Sequence, residues 1–165
     1  MSKRKIYSRD QLAGILQSEK DRGKVIVTTN GCFDILHVGH LRYLQAAREL
    51  GDLLVVGLNS DTSVQALKGE NRPLVPENER AELLAGLGCV DYVTIFSELE
   101  PNILLAQLKP DIHVKGGDYT IEQLPEREIV EAHGGKVIVG LNVPGKSTTD
   151  LIQVIRERHG IHQPT

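Results

Sequence analysis

The chain has 165 residues, 40% hydrophobic and 25% charged, which suits a soluble globular protein with room for one ordinary domain. Those proportions exclude a disordered tail, a collagen-like repeat and a membrane bundle. A formal net charge of −3 gives no broad electrostatic claim on nucleic acid. Sixteen Gly beside four Tyr, two Phe and no Trp favour an α/β protein, where Gly serves sharp turns and close approach to a ligand. Cys32 and Cys89 lie far apart and build neither a disulfide framework nor a Cys-rich zinc site, so a reducing compartment is expected. The basic segment 1–10 is not followed by the apolar stretch of a signal peptide. The run Leu53 to Leu58 is far shorter than the roughly 20 residues of a membrane span. A cytoplasmic protein is expected, with no membrane partner.

In chain order, Ser8 and Gln11 are spaced as a capping box and open a helix through about Lys20, with Leu12, Ile15 and Leu16 on one face. The β-branched run Lys24 to Thr29 predicts a buried strand, and a glycine turn then leads into a helix over Val38 to Leu50. Leu53 to Leu58 is the second strand, followed by helices over Thr62 to Leu67 and Glu77 to Leu87. Asp91 to Phe96 is a strand, Asn102 to Leu108 a helix and Ile112 to Lys115 a strand. Pro125 starts a helix to His133 that Gly134 stops, Val137 to Leu141 is the last strand, and Thr149 to Arg158 the last helix. No linker or repeat interrupts this alternation. The expected fold is a Rossmann-like α/β domain spanning 1–165, with its core over about 24–159. Its five-stranded parallel sheet is covered by helices on both faces. Ligands of such sheets bind beyond the carboxyl ends of the strands, where strand order reverses.

Three loops on that edge carry polar chemistry. The first runs from Thr29 through Asn30, Gly31, Cys32, Phe33 and Asp34 to His37, Gly39 and His40. His37 and His40 are three apart at a helix start, so both rings can leave one edge of a turn whose free N–H groups already favour an anion. Gly39 removes a side chain that would block close approach. A zinc site is not expected, because no Cys or Glu stands at ligand spacing beside the pair. Cys32 has no base beside it and is read as packing. The second loop follows Ile112: Lys115 extends from the strand end, Gly116 and Gly117 let the backbone wrap a ligand, and Asp118 can meet a metal or hydroxyl groups. The third, Lys146, Ser147, Thr148 and Thr149, is either an ordinary N-cap or a second phosphate-binding helix start. The chain has neither a P-loop nor a Gly-x-Gly-x-x-Gly fingerprint.

Gly31-Cys32-Phe33-Asp34 followed by His37-x-Gly39-His40, with Ser147-Thr148-Thr149, resembles the HxGH nucleotidyltransferase superfamily in its cytidylyltransferase-like branch, over about Val25 to Ile155. Asn59-Ser60-Asp61, Leu67-Lys68-Gly69 with Arg72-Pro73, and Val114 to Tyr119 are similar to the adenylyltransferases of ADP-heptose synthesis in their stand-alone form. The resemblance implies transfer of AMP from ATP, with Mg²⁺, to a heptose 1-phosphate. It implies that His37, His40 and Lys115 are catalytic, and that Thr29 to Asp34, Gly39, Gly116, Asp118 and Lys146 to Thr149 bind the nucleotide and its metal. Asn59, Asp61, Lys68, Arg72 and Arg80 would meet the sugar phosphate, and a homodimer is expected. Where cytidylyltransferases of the branch carry an Arg five residues before Ser147, this chain has Asn142, and Lys146 is the substitute cation. Rival readings are a CTP-dependent enzyme acting on glycerol 3-phosphate, a non-catalytic nucleotide-binding module, and a flavodoxin-like carrier, which the low aromatic content disfavours.

Overall fold

The computed structural model describes residues 2–141 and 143–160. Strands β1 (Ile26–Gly31), β2 (Leu53–Asn59), β3 (Tyr92–Phe96), β4 (Ile112–Lys115) and β5 (Lys136–Val139) form one sheet in the order β3-β2-β1-β4-β5. All pairings are parallel, with Thr28 opposite Val55 on one side and His113 on the other. Three aspartates at the amino edge hold this register. Asp52, Asp111 and Asp91 each accept from the backbone N–H of a neighbouring strand's start, at Val25, Ile26 and Leu54, all at 2.8 Å. A parallel sheet leaves those first N–H groups unpaired, so a carboxylate there replaces water.

Alternation along the strands sends side chains to two cores. Val27, Leu54, Val56 and Val93 meet Leu44 and Ala47 of α2 (Val38–Arg48) and Ala81, Leu84 and Ala85 of α4 (Glu77–Gly86). On the opposite face, Ile26, Val55 and Phe96 meet Leu12 and Leu16 of α1 (Arg9–Asp21) and Leu104 and Leu108 of α5 (Asn102–Leu108). Val130 of α6 (Glu126–Ala132) packs with Leu105 and Val137. The capping box of α1 is present, with Ser8 and Gln11 in both roles. Helices α3 (Asp61–Lys68) and α7 (Thr148–Arg158) complete the elements expected from sequence.

Boundaries moved where local signals were weak. Strand β1 carries Asn30 and Gly31, two residues past the expected end, because it pairs with β2 as far as Leu58. Strand β5 stops at Val139, short of Leu141. A 3-10 turn over Ser2–Lys5, an Ile6–Val93 bridge that extends the β3 edge, and a second 3-10 turn over Ile121–Gln123 were not expected.

The sheet order reverses at β1. Successive strands run β1 to β3 in one direction, and α5 then returns the chain so that β4 lies on the other side of β1. A crevice opens there beyond Gly31 and Lys115, and its wall depends on one buried cation. Arg80 of α4 is fully buried. Its Nε donates to the Val75 carbonyl, Nη1 to the carbonyls of Cys32 and Asn59, and Nη2 to Asp61, all at 2.7–2.8 Å. Arg80 and Asp61 were expected to touch substrate. In the structure the four guanidinium bonds tie protein segments together, and neither Arg80 nor Asp61 is among the residues that line the crevice.

Replacing Arg80 with Met leaves three buried carbonyls without their charged donor, at about 1.5–3 kcal/mol each before relaxation. Arg80→Met is expected to cost at least about 3 kcal/mol, lowering the melting temperature by roughly 6–12 °C for a chain of this size. Calorimetry checks this; a melting temperature unchanged from wild type removes Arg80 from its structural role.

Candidate active site

The carboxyl ends of β1 and β4, the start of α2 and the loop before α7 enclose a cavity of about 1050 Å³. Its floor is set by backbone geometry in Gly31 to Phe33. Phe33 has φ 44°, and its ring folds back to lie 2.9 Å from where a Cβ on Gly31 would sit. Any side chain at 31 would displace that ring. Phe33 then packs against His40 with centroids 5.2 Å apart, and His40 stacks on His37 at 3.9 Å with planes 25° apart.

His37 is the N-cap of α2, and its Nδ1 accepts from the Gly39 N–H at 3.1 Å. An accepting Nδ1 puts the proton of the neutral ring on Nε2. That Nε2 is buried and has no partner, as is Nδ1 of His40. Burial pushes both imidazoles below the ordinary histidine value. The Lys146 charge adds to this at His37, and the His37 charge at His40, which is driven down to about 4. At neutral pH the pair is uncharged, and His37 presents a spare N–H donor. Gly39 is required by this packing: a Cβ there would lie 2.8 Å from His37 Cε1 and 2.8 Å from Lys146 Cβ. The sequence reading gave Gly39 to ligand approach; the structure shows that it first admits the His37 ring and the α7 loop.

The loop before α7 and the first residues of that helix bring Lys146, Ser147, Thr148 and Thr149 to the cavity, and Ser147 is the N-cap, its Oγ accepting from the Asp150 N–H at 3.0 Å. Thr148 Oγ1 donates to the Ile35 carbonyl at 3.4 Å, tying α7 to the α2 loop. Two helix starts, at α2 and α7, therefore border one cavity. Asn142, where the family Arg was expected, lies outside the described residues.

At the β4 end, Lys115 Nζ lies 2.7 Å from Glu126 Oε1 and 6.0 Å from the centre of the Tyr119 ring. Gly116 and Asp118 line the same wall. Asn30 also lines the cavity, with a buried Oδ1 that has no partner. At the far side stand Asn59, Lys68 and Arg72. Asn59 Nδ2 donates to Ser63 at 2.7 Å, and Arg72 Nε donates to Asp34 at 2.6 Å.

Asp34 was expected at the nucleotide. In the structure its carboxylate accepts from Arg72 and from the backbone N–H groups of Leu74 and Val75, and is 2% exposed. Burial would raise its pKa, but those donors outweigh burial and hold it below the usual carboxylate range. It shapes the loop that carries Arg72. Asp34 still borders the cavity, whereas Thr29 does not; Thr29 is buried and shares a 2.7 Å hydrogen bond with Tyr43. Burial pushes the Cys32 thiol up, which leaves it protonated and packed. Sequence reasoning missed Tyr43 and Glu126. Tyr43 sits on α2, donates to the Val114 carbonyl at 3.2 Å and has a phenol pushed up to about 12 by burial. Its spacing from His40 along α2 was the available signal.

Residues 28–162 match the profile of the cytidylyltransferase-like family. The protein named Bifunctional protein HldE in Pelobacter propionicus is 59% identical over 155 residues, covering 94% of this chain and 32% of that protein. The protein of that name in Pseudomonas aeruginosa is 48% identical over 158 residues, covering 95% of this chain and 33% of its own length. The chain thus spans about a third of the curated relatives it matches. Among solved structures, the lipopolysaccharide core biosynthesis protein from Thermoplasma volcanium GSS1 is 32% identical with a TM-score of 0.59. That match covers 71% of this chain and 94% of the other. No helix among the described residues is long and apolar enough to cross a membrane.

Beneath the cavity, His113 is fully buried, shares a 2.9 Å hydrogen bond with Thr28, and is pushed down to about 4, chiefly by burial and then by Lys115. The unfolded ring takes a proton below about pH 6.5, and the folded one only near 4. The unfolded state therefore binds more protons in that window, and stability falls as pH drops through it, by about 1.4 kcal/mol per pH unit for this ring. Urea unfolding at pH 7, 6 and 5 is expected to show that loss in wild type, and a smaller one in His113→Asn. Equal slopes in the two proteins contradict the assignment.

Proposed function

Because the chain belongs to the cytidylyltransferase-like family, we propose that it transfers AMP from ATP to D-glycero-β-D-manno-heptose 1-phosphate, giving ADP-heptose and pyrophosphate. One observation carries the reading: two helix starts and a neutral, stacked histidine pair with an unpartnered N–H face a single cavity at the switch point of the sheet. The relatives named Bifunctional protein HldE and the likeness to a lipopolysaccharide core biosynthesis protein support a heptose acceptor.

In this reading the acceptor's phosphate oxygen attacks the α-phosphorus of ATP in line, the bond to the bridging oxygen breaks, and pyrophosphate leaves. Such a reaction demands positioning and charge neutralisation and needs no protein nucleophile. His37 Nε2–H donates to a phosphate oxygen and His40 supports it from behind, both gaining strength as charge develops. The free N–H groups at the starts of α2 and α7, with Lys146, take the β- and γ-phosphates. Lys115 flanks the nucleotide, and Lys68 and Arg72 face the sugar phosphate. No group of three His, Cys, Asp or Glu among the described residues forms a metal cage. That suits magnesium, which is commonly carried on substrate phosphates with one or two carboxylates. Asp118 is the cavity-wall carboxylate assigned to it, and the ion supplies charge neutralisation for the departing pyrophosphate. The reading places the enzyme in the cytoplasm on small-molecule substrates, with a homodimer as its assembly.

The deciding experiment is pyrophosphate release across ATP or CTP crossed with heptose 1-phosphate or glycerol 3-phosphate. Release is expected only with ATP, the sugar 1-phosphate and Mg²⁺ together. Release with CTP and glycerol 3-phosphate gives the site to a cytidylyltransferase, and no release in any arm points to a binding module. His37→Ala is expected to lower kcat about 10²–10³-fold without unfolding, the scale of one lost transition-state donor. Full turnover in the folded variant removes the histidine from the mechanism.

A further inference from the structure

Lys115 and Lys146 both bring ammonium groups to the cavity, but under different restraint. Lys146 is exposed. Lys115, the last residue of β4, has a side chain only 20% exposed, its ammonium 2.7 Å from Glu126 Oε1 and 6.0 Å from the centre of the Tyr119 ring. The Glu126 side chain is 2% exposed. A carboxylate so deeply buried is tolerated only when paired. Of its charged neighbours, His113 lies on the same strand face two residues before Lys115, but is neutral at physiological pH and already engaged with Thr28. The ammonium of Lys115 is therefore the charge that keeps Glu126 ionised. Burial would raise the carboxyl's pKa, but the Lys115 ammonium 2.7 Å away outweighs it and holds it below the usual range.

The pairing works in both directions. A lysine has a flexible four-carbon stem and loses considerable rotamer entropy when it must meet a ligand at one point. An anion fixed in the wall removes that cost before the ligand arrives.

Resting on the nucleotidyltransferase reading, we propose that Glu126 is a positioning residue: as a buried anion it sets the Lys115 ammonium on the cavity wall to meet the nucleotide's phosphates, and it acts on the substrate only through Lys115. Glu126 opens α6 directly after Pro125 and lines the same cavity, so it is placed to aim the lysine while remaining out of solvent.

The test is a double-mutant cycle of wild type, Glu126→Gln, Lys115→Met and the double variant. Each is read by calorimetric binding of ATP–Mg, by steady-state turnover and by thermal melting. Glu126→Gln keeps the side-chain volume and removes the charge. It is expected to weaken ATP–Mg binding or kcat/KM about 10- to 100-fold, the scale of one charge-assisted contact. In the Lys115→Met background it should have no further effect. The double variant should also melt above Lys115→Met alone, because that single change strands a buried carboxylate. Equal losses from Glu126→Gln in both backgrounds overturn the proposal, since Glu126 then contacts ligand independently. An unchanged Glu126→Gln single variant overturns it as well. If wild type binds ATP–Mg but transfers nothing to heptose 1-phosphate, the acceptor reading fails while the binding cycle still decides this one. A wild type that neither binds nor turns over defeats both.

Discussion

Four hydrogen bonds from one buried guanidinium hold the working edge of this sheet together. Arg80 reaches from α4 to the carbonyls of Cys32, Asn59 and Val75 and to Asp61, joining the loop after β1, the end of β2 and the loop before α4. Cys32 lies just past β1, Asn59 is the last residue of β2 and Val75 lies in the loop before α4, so the three carbonyls come from three separate segments. A buried cation with several planar donors satisfies them together, which a lysine point charge would not. Asp34 does the complementary work for donors, collecting the N–H groups of Leu74 and Val75 and the Arg72 Nε. The backbone around the histidine loop is therefore fixed by two buried side chains, Arg80 and Asp34. That fixity gives His37, His40 and Arg72 defined positions.

The cavity's electrostatics follow from burial more than from charge count. Lys68, Arg72, Lys115 and Lys146 border it, yet the two imidazoles among them are neutral. Nearby cations and desolvation both oppose a proton on these rings. A neutral ring whose Nδ1 is engaged by the Gly39 N–H has a defined tautomer, with its proton on Nε2. Such a donor can be preorganised without adding a buried charge, and its value rises when negative charge builds on the oxygen it faces. Cations on longer stems add positive charge to the cavity wall, while the helix starts add oriented N–H groups.

Much of the fold was legible because its signals are local. Buried β-branched runs, glycine stops and the capping box at Ser8 place five strands and the main helices within a few residues. The parallel order follows from their alternation. The histidine pair was legible for the same reason: spacing on one helical turn fixes which edge the rings leave. What failed to show was anything decided by tertiary partners. Arg80 stands among Glu77, Glu79 and Glu82, and its sequence surroundings suggest a cation facing a sugar phosphate rather than a buried one. Its burial depends on three carbonyls from other segments. Thr29 and Asp34 have the right types for a ligand loop, but Tyr43 and the Leu74–Val75 backbone claim them first. Glu126 follows a proline at a helix start, where an acidic residue normally serves the helix dipole in solvent. Nothing local marks it as paired with Lys115 across the cavity wall.

The central claim is spatial: a nucleoside triphosphate spans the switch point between β1 and β4, its phosphates between the starts of α2 and α7. The most direct measurement is a crystal structure of the protein with Mg²⁺ and a non-hydrolysable ATP analogue. The account predicts phosphate oxygens within hydrogen-bond distance of His37 Nε2 and of the backbone at Ser147 to Thr149, with Lys115 Nζ facing the nucleotide. A nucleotide bound away from this crevice, or one whose phosphates leave His37 Nε2 without a partner, contradicts it.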